Sequence, residues 1–234
     1  MRLDRYLSDL GIASRKELKQ IIRAGRVSVN GIVSNSPDMQ INEKSDCILF
    51  DGTRLNWAEF RYFMMDKPKG ILTAATDRKQ RTVIDLLPDE LQRIGLFPVG
   101  RLDKDTSGLL LLTNDGEFAH KVISPKYEIE KRYYAETDGT PDENDIKAFA
   151  DGITLRDGLE CLPAKLELLG ENRCIVTVRE GKYHQVRRML AAVGKPVIEL
   201  RRLSIGGLCL DKGLGEGGFS ELSQEKIDQI FNAK

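Results

Sequence analysis

The sequence predicts an α+β fold in two parts: two helices and a β-hairpin at the N-terminus, then a larger domain with a mixed, largely antiparallel sheet flanked by helices. Three observations carry this. Helix-period and then strand-period patterns fill residues 1–33. Beyond them, strand-like and helix-like stretches interleave irregularly without repeated βαβ units. Between the two, residues 51–60 (Asp-Gly-Thr-Arg-Leu-Asn-Trp-Ala-Glu-Phe) hold turn residues and no clear period, which marks a boundary. The 234 residues, 41% hydrophobic and 31% charged, suffice for a full core and two domains of unequal size. The first is expected over residues 1–56, with its core in 1–48 and a linker at about 51–60, and the second over 61–234.

Leu3, Tyr6, Leu7 and Leu10 mark one face of a first helix, which Gly11 closes. Ser14 to Glu17 form a capping box for a second helix with Leu18, Ile21 and Ile22 inward, and Gly25 ends it. Val27-Ser28-Val29 alternates like a strand, and Asn30-Gly31 is the favoured type I′ hairpin signal before Ile32 and Val33. In the larger part, Tyr62–Met65, Leu109–Leu112, Lys131–Glu136 and Arg173–Val178 are expected as strands. Phe118–Ile123, Asp142–Ala150 and His184–Val193 are expected as helices.

The 36 basic residues balance 36 acidic ones, yet the charge is unevenly spread. Residues 1–31 carry seven Lys or Arg against three acids, and residues 179–202 carry seven against two. Clustered basicity on a neutral background suits a bounded nucleic-acid footprint, because attraction to phosphate depends on the local field. Lys16, Lys19 and Arg23 fall along one outer face of the second helix, with Arg26 just beyond its end. No run of 18 apolar residues occurs, and Met1 to Arg5 begin an amphipathic pattern where a secretory signal would need an apolar core, so a cytoplasmic protein without a membrane partner is expected. Cys47, Cys161, Cys174 and Cys209 form no C-x-x-C pair and are expected as reduced, mostly buried thiols. The two histidines, His120 and His184, lack metal-ligand spacing, and no Walker A or G-x-G-x-x-G element occurs, so neither metal nor cofactor is expected.

The most informative segment runs from Gly100 to Gly116. A carboxylate, Asp103, stands beside Arg101 in a Gly-bounded turn, and Leu109 to Leu112 follow as a buried strand entered through Gly108. By chemistry Asp103 is a candidate nucleophile or base, and Arg101 a candidate phosphate or base-stack contact. The string matches G-R-L-D-x-x-T-x-G-L-x-L-x-T-x-D-G and resembles the signature of the RNA pseudouridine synthases, in the branch that modifies ribosomal RNA. The resemblance implies that Asp103 is the catalytic residue. Glu180 to Met189 resemble a further signature of that family, E-G-x-x-x-Q-V-[RK]-R-M, which implies that Arg187 pairs with Asp103. Lys131-Arg132-Tyr133 resembles the K-x-Y strand that sets a tyrosine against the target base, so Tyr133 joins the catalytic set. On the same matches Lys67 of the K-P-x-G word, Lys131, His184, Gln185, Arg188 and Leu200 are expected, with Arg101, to bind substrate.

The words R-L-D-R-Y-L, S-R and G-R-V-x-V-N-G, spread over residues 1–48, resemble the S4 RNA-binding domain. Arg2, Arg5, Arg15, Lys16, Lys19, Arg23 and Arg26 are then its expected RNA contacts. The forms Gly181-Lys182-Tyr183-His184-Gln185 and Ala191-Ala192-Val193-Gly194 resemble the enzymes acting on 16S rRNA, and imply uridine 516 as target, with free rRNA or an assembling small-subunit particle as partner and a monomer as the working form. Two alternatives stand beside this: an enzyme acting on 23S rRNA, and a non-catalytic S4-type assembly factor. Retention of Asp103, Tyr133 and Arg187 together speaks against the second. A nucleoside hydrolase is disfavoured because one catalytic carboxylate is present rather than two.

Overall fold

A computed structural model describes residues 1–232 and resolves two compact units. The first comprises Met1–Arg61 and Ile84–Leu96, the second Tyr62–Val83 and the chain from Phe97 onward.

In the first unit, α1 (Leu3–Asp9) and α2 (Arg15–Arg23) precede a four-stranded antiparallel sheet of β1 (Val27–Val29), β2 (Ile32–Val33), β3 (Ile48–Phe50) and β4 (Thr53–Arg54) in the order β2-β1-β3-β4. The capping box forms as its sequence requires: the Glu17 carboxylate accepts from Ser14 N at 2.9 Å while Ser14 Oγ accepts from Glu17 N. Leu18 and Ile22 are buried beneath α2, whereas Ile21, expected inward, is only half-buried. Asn30 and Gly31, at φ 51° and 83°, make the two-residue turn that pairs Val29 with Ile32. Asp51 and Gly52, at φ 48° and 80°, repeat the device between β3 and β4 inside the stretch expected as linker. That strand pair escapes a periodicity search because β4 is two exposed residues long.

The contiguous second domain expected over 61–234 has an excursion, since Ile84–Leu96, with the short α3 (Asp89–Gln92), packs in the first unit. Gly11 makes this possible: at φ 74°, a Cβ there would stand 2.0 Å from the Glu90 carbonyl oxygen, so no side chain fits between the end of α1 and α3.

The second unit is built on one nine-stranded sheet. Its strands are β5 (Tyr62–Lys67), β6 (Phe97–Pro98), β7 (Ser107–Thr113), β8 (Lys131–Thr137), β9 (Lys165–Gly170), β10 (Arg173–Val178), β11 (Val197–Ile205), β12 (Leu208–Cys209) and β13 (Phe219–Glu221). The order is β13-β5-β7-β11-β8-β10-β9, with β6 on β7 and β12 on β11. Only β7–β11 is parallel. All seven residues of β7 are buried, which accounts for its uninterrupted leucine run. Gly108 permits the parallel pair: at φ 103°, a Cβ there would lie 2.3 Å from the Arg202 carbonyl oxygen.

Four helices, α4 (Gly116–Ile123), α5 (Glu143–Asp151), α6 (Gln185–Ala192) and α7 (Gln224–Phe231), cover two apolar clusters. One joins α5 and α6 to β8, β10 and β11 through Phe149, Val176, Met189 and Leu200, and the other joins α4 and α7 to β5 and β7 through Phe118, Ile230, Met64 and Leu111. Strand β11 gives little periodic signal in the sequence, because Glu199, Arg201 and Arg202 interrupt its apolar pattern and its register shifts twice. Among the four free thiols only Cys161 and Cys174 are buried; Cys209 is exposed, so burial of the thiols holds for half of them. No helix among the described residues is long and apolar enough to cross a membrane.

Candidate active site

The loop from Gly100 to Thr106 enters β7 and is fixed from below. Thr73 Oγ1 donates to the Leu102 carbonyl at 2.7 Å, Gly70 N donates to the Lys104 carbonyl at 2.8 Å, and Thr106 N closes a turn onto the Asp103 carbonyl at 3.0 Å. Lys67, fully buried at the end of β5, gathers four carbonyls with its ammonium: Pro68 at 2.9 Å, Thr106 at 3.0 Å, Asp103 at 3.3 Å and Lys104 at 3.4 Å. Burial pushes its pKa down to about 8, against the opposing pull of Asp103 and Asp105. Lys67 therefore underpins the loop and is not part of the cleft wall.

The other half of the site comes from the turn before α6. Glu180 is buried there, accepting from Leu162 N at 2.9 Å, Gln185 Nε2 at 2.7 Å and Lys182 Nζ at 3.0 Å. Gln185 Oε1 accepts from Lys182 N at 3.0 Å, so both ends of this amide are committed to the turn although the residue borders the cleft. His184 caps α6 in the left-handed region, at φ 49°. From this frame Arg187 Nε reaches to 3.6 Å from Asp103 Oδ2, and His184 Nε2 to 3.3 Å from Oδ1. Arg187 also donates to the Asp105 carbonyl at 3.3 Å and to Thr106 Oγ1 at 3.4 Å, which ties helix to loop.

These groups surround an open cleft, with Arg101, Asp103, Tyr133, His184, Gln185, Arg187 and Leu200 in its wall. Arg101 is exposed there, with no hydrogen bond or ion pair among the described residues. Arg188 and Lys131 stand outside. Arg188 is bound to Asp157 at 2.6 Å and to the Tyr183 carbonyl at 3.4 Å, while Lys131 is buried, its pKa pushed down to about 8 by burial and by neighbouring Arg202.

Arg202 is the residue that sequence reading missed. Only 4% exposed, it donates from Nε to the Leu109 carbonyl at 2.7 Å and from Nη1 to Tyr133 Oη at 3.4 Å, and its buried Nη2 has no partner among the described residues. A charged residue in a strand, two positions after Leu200, was the available signal, because an arginine at a buried register position must have a polar task. A guanidinium has only donors, so the Tyr133 oxygen is the acceptor and its own proton is free for another partner. Among the described residues no group of three or more His, Cys, Asp or Glu could hold a metal ion.

On the first unit, Arg2, Asp4, Arg5, Arg15, Lys16 and Lys19 line a broad basic concavity. Arg2 is paired with Asp4 at 2.8 Å and Arg5 with Asp9 at 3.5 Å, while Arg15, Lys16 and Lys19 have no partner among the described residues. Arg23 is exposed but does not line it. Arg26 is turned to Asp51 and lies 4.9 Å over the Phe50 ring.

The RNA pseudouridylate synthase family model matches residues 61–192, and the S4 domain model matches residues 1–46. The chain is 40% identical over 232 residues to ribosomal small subunit pseudouridine synthase A of Vibrio cholerae, covering 99% of this chain and 100% of that one. It is 40% identical over 236 residues to ribosomal large subunit pseudouridine synthase B of Bacillus subtilis, covering 98% and 95%. A solved pseudouridylate synthase shares 38% identity at a TM-score of 0.70, covering 98% of this chain and 99% of that one. With these matches spanning the loop of Asp103, the turn before α6 and nearly the whole length, the chain belongs to the RNA pseudouridylate synthase family and carries an S4 domain ahead of the catalytic unit.

Proposed function

We propose that this RNA pseudouridine synthase isomerises one uridine of 16S rRNA, uridine 516, with Asp103 starting cleavage of the glycosidic bond. The observation that carries the chemistry is the Asp103 carboxylate in the cleft wall with Arg187 on one oxygen and His184 on the other. In the isomerisation the C1′–N1 bond breaks, the uracil turns, a C1′–C5 bond forms, C5 loses its proton and N1 gains one. Atoms and electrons balance within the nucleotide, so no cofactor enters. Asp103 attacks sugar or base, or takes a sugar proton; each route needs a carboxylate held in one direction, which Arg187 supplies. Tyr133 presents a ring for the uracil and a hydroxyl whose proton Arg202 leaves free. Leu200 closes the apolar side. A uridine within folded RNA must first leave its stack, at a cost of a few kcal/mol, and the unpartnered Arg101 is placed to hold the opened state.

The small-subunit assignment rests on the wording of residues 181–185 and 191–194, since the relatives named above include enzymes of both subunits at equal identity. A 23S rRNA target is therefore the second reading. The same proposal takes the enzyme as a cytoplasmic monomer acting on free rRNA or on an assembling small-subunit particle, with the S4 concavity along the RNA backbone. Mapping pseudouridine in rRNA from cells with and without the protein tests it: loss of one 16S position is expected, and loss confined to 23S rRNA would overturn the assignment.

A further inference from the structure

Tyr183 is the most exposed aromatic side chain described, at 75%, and it lies face to face with His184, ring centroids 3.9 Å apart and planes within 18°. The inner ring of this pair reaches Asp103; the outer ring is open on its far face. Tyr183 does not border the cleft that takes the target base. Its stacking partner His184 does border that cleft, so the free face of Tyr183 stands one ring away from the site, in reach of a base neighbouring the one being modified.

We propose that the free face of Tyr183 is a stacking subsite for the nucleobase next to the target uridine in the RNA chain. This rests on the reading of the cleft as the uridine site and extends it by one nucleotide.

Two features of the protein favour this use. An exposed tyrosine on a loose loop would lose much of its stacking energy in ordering, but this one is set in a fixed turn. Its carbonyl accepts from Arg188 Nη1 at 3.4 Å, Arg188 is itself anchored on Asp157, and the residues on either side are held by the Gln185–Lys182 bond and by His184 at the head of α6. The platform is thus formed before RNA arrives. The second feature is the cost of flipping: pulling a uridine from its stack strands its neighbour, and an aromatic face beside the cleft replaces the lost stacking without regard to which base it is.

The test uses the full-length enzyme and an RNA segment spanning the uridine that the wild type modifies. Tyr183→Ala should raise the half-saturating RNA concentration about 5- to 100-fold, the range that base–aromatic stacking covers, while Tyr183→Phe, which keeps the ring, should restore binding. An abasic nucleotide placed on the 5′ or the 3′ side of the target should weaken wild-type binding by a similar factor at one of the two positions and leave Tyr183→Ala almost unaffected there. 2-Aminopurine at that position should be quenched on binding wild type and Tyr183→Phe, and stay bright with Tyr183→Ala. Additive losses from the abasic site and the alanine at both positions, or unquenched 2-aminopurine with the wild type, would overturn the subsite and return Tyr183 to steadying His184. Failure of the wild type to modify any uridine in rRNA would instead remove the reading of the cleft, and the subsite with it.

Discussion

The buried guanidinium of Arg202 donates to the hydroxyl of Tyr133 over 3.4 Å, and it does so with no carboxylate hydrogen-bonded to it among the described residues. Burying a cation without a counter-ion is costly, and its retention beside the cleft points to work on Tyr133. Arg202→Met should lower single-turnover conversion at least tenfold, with RNA affinity changed only a few-fold and the fold intact by circular dichroism. Near-normal turnover would leave Arg202 with no task beyond its bond to the Leu109 carbonyl.

Asp103→Asn keeps shape and loses the charge, so pseudouridine formation should vanish while RNA affinity stays within a few-fold. Arg187→Ala should cost activity heavily, because it frees both the carboxylate and the Asp105–Thr106 segment that Arg187 ties to α6. Turnover of either variant near the wild-type rate with saturating RNA would dismiss that residue from the mechanism.

Lys67 and Lys131 are held at about 8, against an ordinary value of 10.5, mainly by burial. A base with a depressed folded-state pKa binds its proton more weakly in the folded chain than in the unfolded one. Its penalty is therefore constant below about pH 8, falls away between about 8 and 10.5, and is absent above. Lys131→Met removes one such group without touching the catalytic loop. The melting temperature of the wild type relative to this variant should rise by roughly 2–4 °C from pH 7.5 to 9. The Cys174 thiol, pushed up to about 11 by burial, is common to both proteins and cancels from the difference. A difference that does not change with pH would show that Lys131 is solvated.

Charge reversal of Arg15, Lys16 and Lys19, which stand unpartnered in the concavity of the first unit, should weaken rRNA binding and flatten its salt dependence by close to one unit of log–log slope for each phosphate no longer neutralised. Reversal of Arg23 and Arg26 should do less, since the first lies off the concavity and the second is engaged with Asp51. Equal effects of the two sets would mean that the RNA follows the whole of α2.

Arg101→Ala should slow modification of structured rRNA far more than that of a short unstructured RNA, where unstacking costs less. Single-turnover rates at saturating enzyme make the comparison, so that binding differences drop out. Equal slowing on the two RNAs would assign Arg101 to the site itself.

The elements set by neighbours in the chain were legible in the sequence: the capping box at Ser14 and Glu17, the type I′ turn at Asn30 and Gly31, and the buried run of β7 entered through Gly108. Capping, turn chemistry and side-chain period act over a few residues, and the motifs around Asp103, Tyr133 and Arg187 marked residues that the structure gathers at one cleft. Tertiary structure decided what those residues meet. The antiparallel pairing of β11 with β8 sets Arg202 opposite Tyr133, the parallel pairing of β7 with β11 through Gly108 gives it the Leu109 carbonyl, the end of β5 places Lys67 under the Asp103 loop, and the buried Glu180 sets the turn that aims His184 and Arg187 at Asp103. It also turned Arg188 to Asp157, committed Gln185 to its own turn, and packed Ile84–Leu96 in the first unit, where Gly11 leaves room. Each of these depends on which distant surfaces close together, and that is settled by packing and by the satisfaction of buried polar groups across the sheet, not by any local pattern.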